Sequence, residues 1–574
     1  MPLPSKRWEI ATPVSEQDQA RLPGRPPLLA QLLHSRGIHS PEAAGAFLDS
    51  RVTGHSPFRL KGMDAAVTRL RQALRRDEPI SVYGDFDTDG VTATVLLVQV
   101  LSALGARVEP YIPHRVDEGY GLNLEALRHL YRKGIRLVVT VDCGVRSIDE
   151  VRQARHGLDL ILTDHHAPGK ELPPAVAILN PKQPDCRYPF KGLAGVGLAF
   201  KLAQALLRVE GQMGGTGAVT EESLLDLVAL GTVADLAPLL DENRVLVRRG
   251  LEGLNGASRP GVEALMAGVG LRRGDVDTTA IGFRLGPRLN AAGRLDTAML
   301  AYRLLTSVDP LETKDLADRL GELNRRRQEL TEQTVAAAEA QVLADRPDAY
   351  LLLAASAEFL PGIVGLAASR LAEAYYRPSV VVEVGEGESR GSCRSIPEFN
   401  ITAALDQCAD LLIRYGGHAA AAGFTIATEK LQTLQRRLQA IAAEELAGLE
   451  LRPTLQIDAE VPLEDVDWAT HALLRQMEPC GMDNPQPVLL SRGVQVRDAR
   501  AMGSEQKHLR LTLRDERGVA WDAVFFRQGH LSGQVPGQVD VAYTLDVNVW
   551  NGEKLLQLNV QDLQEAGKPF LTFV

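Results

Sequence analysis

From about residue 78 to 166, short apolar runs alternate with helix-length stretches: "PISVYGD", "TATVLLVQVLSALG", "RVEPYIP", "LEALRHLYRKG", "IRLVVTVD", "SIDEVRQARHG" and "LDLILTD". Apolar runs too continuous to be half-exposed, separated by segments with helical spacing, predict a parallel, doubly wound sheet with helices on both faces. In "LEALRHLYRKG" the residues Leu124, Leu127, Leu130 and Tyr131 share one helical face, and Gly134 is placed to end the helix.

Further helix-like segments follow, "GLAFKLAQALLRVE" and "ESLLDLVALGTVAD", around the glycine-rich "GQMGGTGAVT", which reads as a surface loop. Residues from about 295 to 345 predict one long helix able to space two domains apart. A second α/β segment spans about 349 to 447, through "AYLLLAA", "SVVVEVG", "RGSCRS" and "RYGGHAAAAGF". The tail from about 453 carries short alternating runs, "LQIDAEV", "HLRLTLRD", "VAWDAVFF", "VDVAYTLDVNVW" and "LLQLNVQDL", the pattern of a small β-barrel such as an OB-fold.

Composition narrows the class. A chain of 574 residues, 45% hydrophobic and 24% charged, has room for several ordered domains and no sign of a long disordered tail. The first residues lack a signal-peptide core, and no stretch approaches the roughly 18 apolar residues of a membrane span. A cytoplasmic location without a membrane partner is the expectation. Cys143, Cys186, Cys393, Cys408 and Cys480 form no C-x-x-C pair, which fits a reducing compartment and argues against a structural zinc knot. The formal net charge of −10 argues against nonspecific coating of nucleic acid, so any polyanion site must be built locally.

Ligands of open parallel sheets bind beyond the carboxyl ends of the strands. Four places past apolar runs carry acids: Asp85, Asp87 and Asp89 in "YGDFDTDG", Asp142 in "VVTVDCG", Asp164 with His165 and His166 in "ILTDHHAPG", and Asp235 in "ALGTVADLAP". Taken singly, Asp142 or Asp235 is equally a turn or capping residue. Converging, so many carboxylates would repel one another and resist burial unless cations neutralised them. Carboxylate and imidazole without thiolate favour Mn²⁺, with Mg²⁺ as the second choice, and the charge calls for two ions. Such a pair could activate a water and hold phosphoryl oxygens, the chemistry of phosphoester or phosphoanhydride hydrolysis. Because successive side chains of extended backbone point opposite ways, one of His165 and His166 is expected on metal and the other toward substrate phosphate.

"YGDFDTDGVTAT", "VVTVDCG", "LTDHH" and "GTVAD", in this order, closely resemble the DHH phosphoesterase superfamily. Within it, "RVDEGYGL", "LAGVGLAFK", "LGPRLNAAGRLD", "GIVGLAASRL", "RGSCRS" and "GGHAAAAGF" are similar to the RecJ-type single-strand-specific exonucleases over most of the chain. The resemblance implies an N-terminal segment (1–55), a DHH catalytic domain (56–294), a connecting helix (295–345), a DHHA1-like substrate-binding domain (346–450) and an OB-fold-like nucleic-acid-binding domain (451–574). By resemblance Asp87, Asp89, Asp142, His165 and Asp235 hold two manganese ions, Asp142 bridging, and Asp85 is a further ligand or supports one. His166 would contact the scissile phosphate while an activated water attacks in line, releasing 5′-mononucleotides from single-stranded DNA in the 5′ to 3′ direction. That polarity, a monomeric state, and partnerships with single-strand-binding protein and a RecQ-type helicase come with the family alone.

Local features supply a strand-binding wall. "FRLGPRLNAAGR" carries Arg284, Arg288 and Arg294 without an acid, and "RGSCRSIPEFN" offers Ser392 and the forked Arg394 beside small residues. The resemblance assigns Arg288, Ser392 and Arg394 to the strand's 5′ end and His418 of "GGH" to the same wall; Asn290 and Arg294 complete the expected substrate set. Arg115 could contact phosphate and Tyr120 could stack on a base. The "GLAGVGLAF" glycines suit close helix packing better than a nucleotide fingerprint, and "ELNRRRQEL" reads as a solvated helix face. In the barrel, Trp521, Phe525, Phe526 and Trp550 could stack bases, although strand aromatics more often fill cores, and "KHLRLTLR" is basic.

The chain departs from the family pattern at Phe359 and Leu360, where a Trp-His pair is usual, at Cys393, where glycine is usual, and at "MDNP" (482–485). Rival functions are a superfamily enzyme for small substrates, such as an oligoribonuclease, a cyclic-dinucleotide phosphodiesterase or a manganese pyrophosphatase, and a noncatalytic binding platform. The barrel argues against the first and the intact acids and histidines against the second.

Overall fold

The computed structural model describes residues 6–49, 54–211, 219–256, 259–345, 348–550 and 552–567. The glycine-rich loop expected at 211–220 falls mostly outside them. The chain forms two compact units, one from residues 53–451 and the other from residues 4–52 together with 452–574.

The first unit begins with five parallel strands, β1 (Ile80–Tyr83), β2 (Val108–Tyr111), β3 (Leu137–Val141), β4 (Asp159–Thr163) and β5 (Ala177–Leu179), in the order β2-β1-β3-β4-β5. Every residue of β1 and β3 is buried, as their uninterrupted apolar sequences require. The order reverses between β1 and β3, so their carboxyl ends flank the switch point where a doubly wound sheet opens a crevice. Register brings the chain ends level: Tyr83 pairs with Thr140 and Val141 with Thr163.

Helices α1 (Thr88–Ala103), α2 (Leu124–Arg132) and α3 (Ile148–Ala154) make the crossovers. Beyond the sheet, α4 (Gly195–Gly211) and α5 (Leu225–Ala234) are almost wholly buried. They share one core with α1, including Val95, Leu96, Leu198, Leu202, Leu227 and Leu230.

The expected long helix is interrupted. After α6 (Gly286–Leu295), α7 (Met299–Thr306) stops at an extended Ser307, and α8 (Pro310–Asp345) restarts at Pro310. Proline fixes φ and lacks a donor, which suits a first helical turn and disfavours helix in the residue before it. Helix α8 packs on α6 and on α9 (Pro361–Tyr375), so it joins its neighbours as well as spacing them.

The second α/β domain carries a mixed sheet of β6 (Leu352–Ser356), β7 (Ser379–Glu383), β8 (Glu388–Arg394), β9 (Leu412–His418) and β10 (Ala421–Ala427), ordered β9-β10-β8-β7-β6 with only β6 and β7 parallel. Helix α10 (Leu431–Leu446) closes its core through Leu434 and Leu438.

The other unit is a five-stranded barrel of β11 (Leu489–Met502), β12 (His508–Arg514), β13 (Ala520–Phe525), β14 (Gln538–Trp550) and β15 (Glu553–Glu565). The ladder runs β11-β12-β13-β15-β14 and closes through β14 on β11, with β13 and β15 parallel, which is the OB-fold. Residues near the N-terminus are built into it. Arg7–Ile10 pairs in parallel with Thr454–Ile457, and Leu29, Leu32 and Leu33 share a core with Leu489, Leu511 and Tyr543.

Candidate active site

Three strand ends and one helix end deliver the acids. After β1 the chain turns through Asp85 into α1, whose N-cap Asp87 accepts the Gly90 N–H at 3.1 Å. Within the first turn, Asp89 takes the N–H groups at the start of α4 on its two oxygens, Gly195 at 2.7 Å and Val196 at 2.8 Å. Asp142 follows β3 in a left-handed conformation (φ 61°). Asp164, past β4, accepts the N–H of Val145 at 2.8 Å and that of His166 at 3.0 Å. Asp235 departs from the strand-end expectation, because it caps the C-terminus of α5. "LDLVALGTVA" is apolar all round, and such a run does not by itself tell a buried helix from a strand.

Glycine opens the space these groups need. A Cβ on Gly195 would lie 2.7 Å from the Asp142 Cβ, and one on Gly231 would lie 2.9 Å from an Asp89 oxygen. Close helix packing, the expectation for the "GLAGVGLAF" glycines, therefore serves the acids directly.

The ligand-type atoms fall into three overlapping sets: Asp85, Asp87 and Asp142; Asp89, His165 and Asp235; and Asp142, His165 and His166, each within 4.8 Å. His165 Nε2 stands 3.1 Å from Asp142 Oδ1 and 3.7 Å from Asp235 Oδ2. The two histidines do not point apart: the chain has left the strand by residue 164, and both rings turn toward Asp142, with centroids 4.4 Å apart. His166 Nδ1 meets Asp164 at 2.8 Å and lies 3.9 Å from Asp142.

Electrostatics favour a cation here. Burial, then the like charges of Asp89, Asp87 and Asp235, push the Asp142 carboxyl well above its usual range. Burial and Asp87 do the same to Asp85, raise Asp89 to about 7, and together with Asp89 raise Asp235 to about 9. Burial, then the neighbouring His166, lowers His165 to about 3, leaving it a neutral ligand. Burial works against the Asp164 charge, but His166 and two backbone N–H groups hold its carboxyl low.

Asp85 Oδ1, Asp142 Oδ1 and His165 Nε2 are buried and accept no hydrogen bond. Asp142 Oδ1 and His165 Nε2, 3.1 Å apart, are spaced as neighbouring ligands of one octahedral ion are, about 3 Å apart at metal–oxygen distances near 2.1 Å. The residues therefore fit divalent cations. The Asp89 oxygens keep lone pairs beyond those used by α4.

A basic wall faces the acids. Arg294, on α6, is half-buried and donates to the Gly362 carbonyl at 3.0 Å. Burial and the neighbouring cations Arg115 and Arg327 lower it to about 9. Arg394, at the end of β8, donates to Ser392 Oγ at 3.2 Å and to the Cys393 carbonyl at 2.7 Å. Arg288 donates to the Arg284 carbonyl at 2.7 Å. His418, ending β9, is lowered by burial and by its neighbours Arg146, His166 and Lys182, so the second domain stands beside the histidines.

Three family models match the chain: the DHH family N-terminal domain over residues 79–232, the DHHA1 domain over 348–444 and the RecJ OB domain over 457–562. The single-stranded-DNA-specific exonuclease RecJ of Bacillus subtilis (strain 168) is 40% identical over 566 residues, covering 97% of this chain and 70% of the relative. The chain belongs to the RecJ family. The RecJ of Escherichia coli (strain K12) is 35% identical, covering 95% and 97%. The crystal structure of RecJ in complex with Mn²⁺ from Thermus thermophilus superposes with a TM-score of 0.83 at 32% identity, covering 98% of this chain and 80% of that one. A Mg²⁺ complex of the same RecJ gives 0.78.

Several residues expected to bind substrate have other partners in this RecJ-family chain. Asn290 Oδ1 accepts the N–H of Thr88 at 2.8 Å and its hydroxyl at 3.0 Å, so its carbonyl braces the start of α1. Arg284 is turned away, onto the Val269 carbonyl. The Arg115 guanidinium lies 4.1 Å over the Phe86 ring, facing Asp85 and Asp87. Tyr120 donates to the Asp142 carbonyl at 3.1 Å and meets His166 Nδ1 at 3.1 Å. Sequence reasoning missed Phe86 and Lys182, for which no pattern gave a signal, and the buttressing role of Asp164, which the triplet "DHH" carried.

Two departures from the RecJ pattern are packed among apolar side chains. Cys393 and Phe359 are buried in hydrophobic cores, so the thiol occupies the face of β8 opposite Ser392. In the barrel, Phe525 is core and Trp521 half-buried, while Phe526 is exposed against His508. The Trp550 side chain lies outside the described residues. Lys507 pairs with Glu505 and Arg510 with Asp522, which reduces the basic character expected of "KHLRLTLR". Among the described residues, no helix is long and apolar enough to cross a membrane.

Proposed function

We propose that this protein is a single-stranded-DNA-specific exonuclease that releases 5′-mononucleotides in the 5′ to 3′ direction by metal-dependent hydrolysis, in DNA repair and recombination. The observation that carries it is the overlap of ligand sets at Asp142, facing arginines without carboxylate partners. Asp85, Asp87 and Asp142 would hold one cation, and Asp89, His165 and Asp235 another, with Asp142 shared. When bound, Mn²⁺ or Mg²⁺ supplies a water nucleophile at neutral pH and neutralises charge on the phosphate.

The protein's own groups do the rest. Asp164 fixes the His166 ring and its tautomer, so that the free nitrogen faces the scissile phosphate. Arg115 and Arg294 oppose phosphate charge from a site poor in water, where each guanidinium counts for more. Arg288, Ser392 and Arg394 take the 5′-terminal phosphate, with Asn290 bracing and His418 closing the wall. A pocket for an end group a fixed distance from the acids permits cleavage only at ends, and polarity rests on family likeness.

Residues 56–294 would act as the catalytic domain, 295–345 as the connector, 346–450 as the substrate-binding domain and 451–574, with the 1–55 segment, as the DNA platform. The enzyme would act in the cytoplasm as a monomer, with single-strand-binding protein and a RecQ-type helicase as partners.

The test offers purified protein with Mn²⁺ an oligonucleotide labelled at either end, a circular strand and a dinucleotide. Mononucleotides from the 5′ end, with the circle spared and Asp142→Ala inactive yet folded, are expected. Cleavage of the dinucleotide alone, or binding without cleavage, would overturn the proposal in favour of a small-substrate enzyme or a binding platform.

A further inference from the structure

Helix α8 lies between the helix that carries Arg288 and Arg294 and the helix that carries Arg370. Its run Arg325-Arg326-Arg327 splits three ways. Arg326 meets Glu329 at 3.3 Å and stays on the exposed face. Arg325 is exposed but close enough for Arg288 to feel its charge. Arg327 turns inward, half-buried, where Arg370 and Arg288 are its charged neighbours and Arg294 feels it in turn.

One donor is stranded there: Arg327 Nε is buried with no acceptor. Among the described residues, none of Arg288, Arg294, Arg327, Arg370 and Arg394 forms an ion pair with a carboxylate. Five clustered guanidiniums repel one another, and an unpaired buried donor is costly, so the arrangement calls for a polyvalent anion. A terminal phosphate carries at most about two negative charges, so Arg288 and Arg394 alone would already balance it.

We propose that Arg327 of the connecting helix, assisted by Arg370, is a further phosphate-binding position for the single strand, next to the Arg288–Arg294–Arg394 wall. This rests on the nucleic-acid reading above. The ligand chemistry is a phosphate oxygen, of either the terminal group or the first internal phosphodiester. The fork of Arg327 would donate to it through Nε–H and one Nη–H. Helix α8 would then sense the strand directly while bridging the two domains that grip it.

Equilibrium binding of a short oligothymidylate, 5′-phosphorylated or 5′-hydroxyl, by the full chain in EDTA tests this, with affinity measured across a salt series. Arg327→Gln should weaken binding roughly tenfold and flatten the log affinity–log salt slope by about 0.7, one phosphate's share for a single strand. A loss confined to the phosphorylated strand identifies the terminal phosphate, and an equal loss for both identifies the internal one. Arg370→Gln, on an exposed side chain that leaves the fold untouched, should shift both quantities the same way if Arg327→Gln does not fold. A folded Arg327→Gln, or Arg370→Gln in its place, with wild-type affinity and slope overturns the inference while leaving the exonuclease reading standing. Wild-type protein that neither binds the strand nor cuts it with Mn²⁺ overturns both.

Discussion

Removing the metal and the Asp235 charge together should expose what the acid cluster costs the fold. In metal-free protein, burial and Asp89 raise Asp235 to about 9 from an ordinary value of 3.8. Between those values the folded chain holds a proton that the unfolded chain has lost, so stability falls as pH rises toward 9. From pH 7 to pH 9 the loss for this one group is about 2.3 kcal/mol, given 1.36 kcal/mol per unit of pKa difference. Across a unit of ~400 residues, with an unfolding entropy near 2.1 cal/mol/K per residue, that lowers Tm by about 3 °C. Asp235→Asn is isosteric and uncharged, so it should abolish that share of the pH dependence and stand above wild type at pH 9 in EDTA. Wild-type protein should regain the stability on addition of Mn²⁺, whereas the variant should regain less. Thermal unfolding by calorimetry at pH 7 and pH 9, with and without Mn²⁺, measures all of this. An Asp235→Asn protein as sensitive to pH as wild type, and as strongly stabilised by Mn²⁺, would refute the reasoning.

Asp164→Asn should leave Mn²⁺ binding near wild type but lower kcat roughly 10- to 100-fold, since it disturbs the ring that the carboxylate orients; calorimetric Mn²⁺ titration beside single-turnover cleavage separates the two effects. Gly195→Ala should cost activity without exchanging any polar group, because its Cβ would press on Asp142 at 2.7 Å; cleavage rates at saturating Mn²⁺ check it. Arg394→Gln should raise KM for 5′-phosphorylated strands about tenfold and leave that for 5′-hydroxyl strands nearly unchanged, as steady-state kinetics on both would show.

Much of the fold was legible because its signals are periodic. The strands from β1 to β4 announced themselves as apolar runs, β1 and β3 buried throughout, and the acids beyond them marked the crevice. What stayed hidden depends on packing rather than period. Asp235 ends a helix apolar all round, where a buried helix and a buried strand look alike. His165 and His166 lie just past the strand, so alternation no longer governed their directions. Three successive arginines on α8 gave no clue which would turn inward, since that depends on where α6 and α9 pack. The 6–49 segment showed no partner in sequence because its partners lie more than 400 residues away.

That last pairing has a consequence during synthesis. Arg7–Ile10 cannot find Thr454–Ile457, nor Leu32 and Leu33 their barrel, until those partner segments have left the ribosome. At roughly 5–20 residues per second the 6–49 segment waits on the order of half a minute to a minute and a half, its apolar helix uncovered, while the 53–451 unit completes its own core. The 6–49 segment is thus among the last parts to fold, and a nascent chain halted before the barrel would carry a finished sheet and its acids beside a segment still without partners.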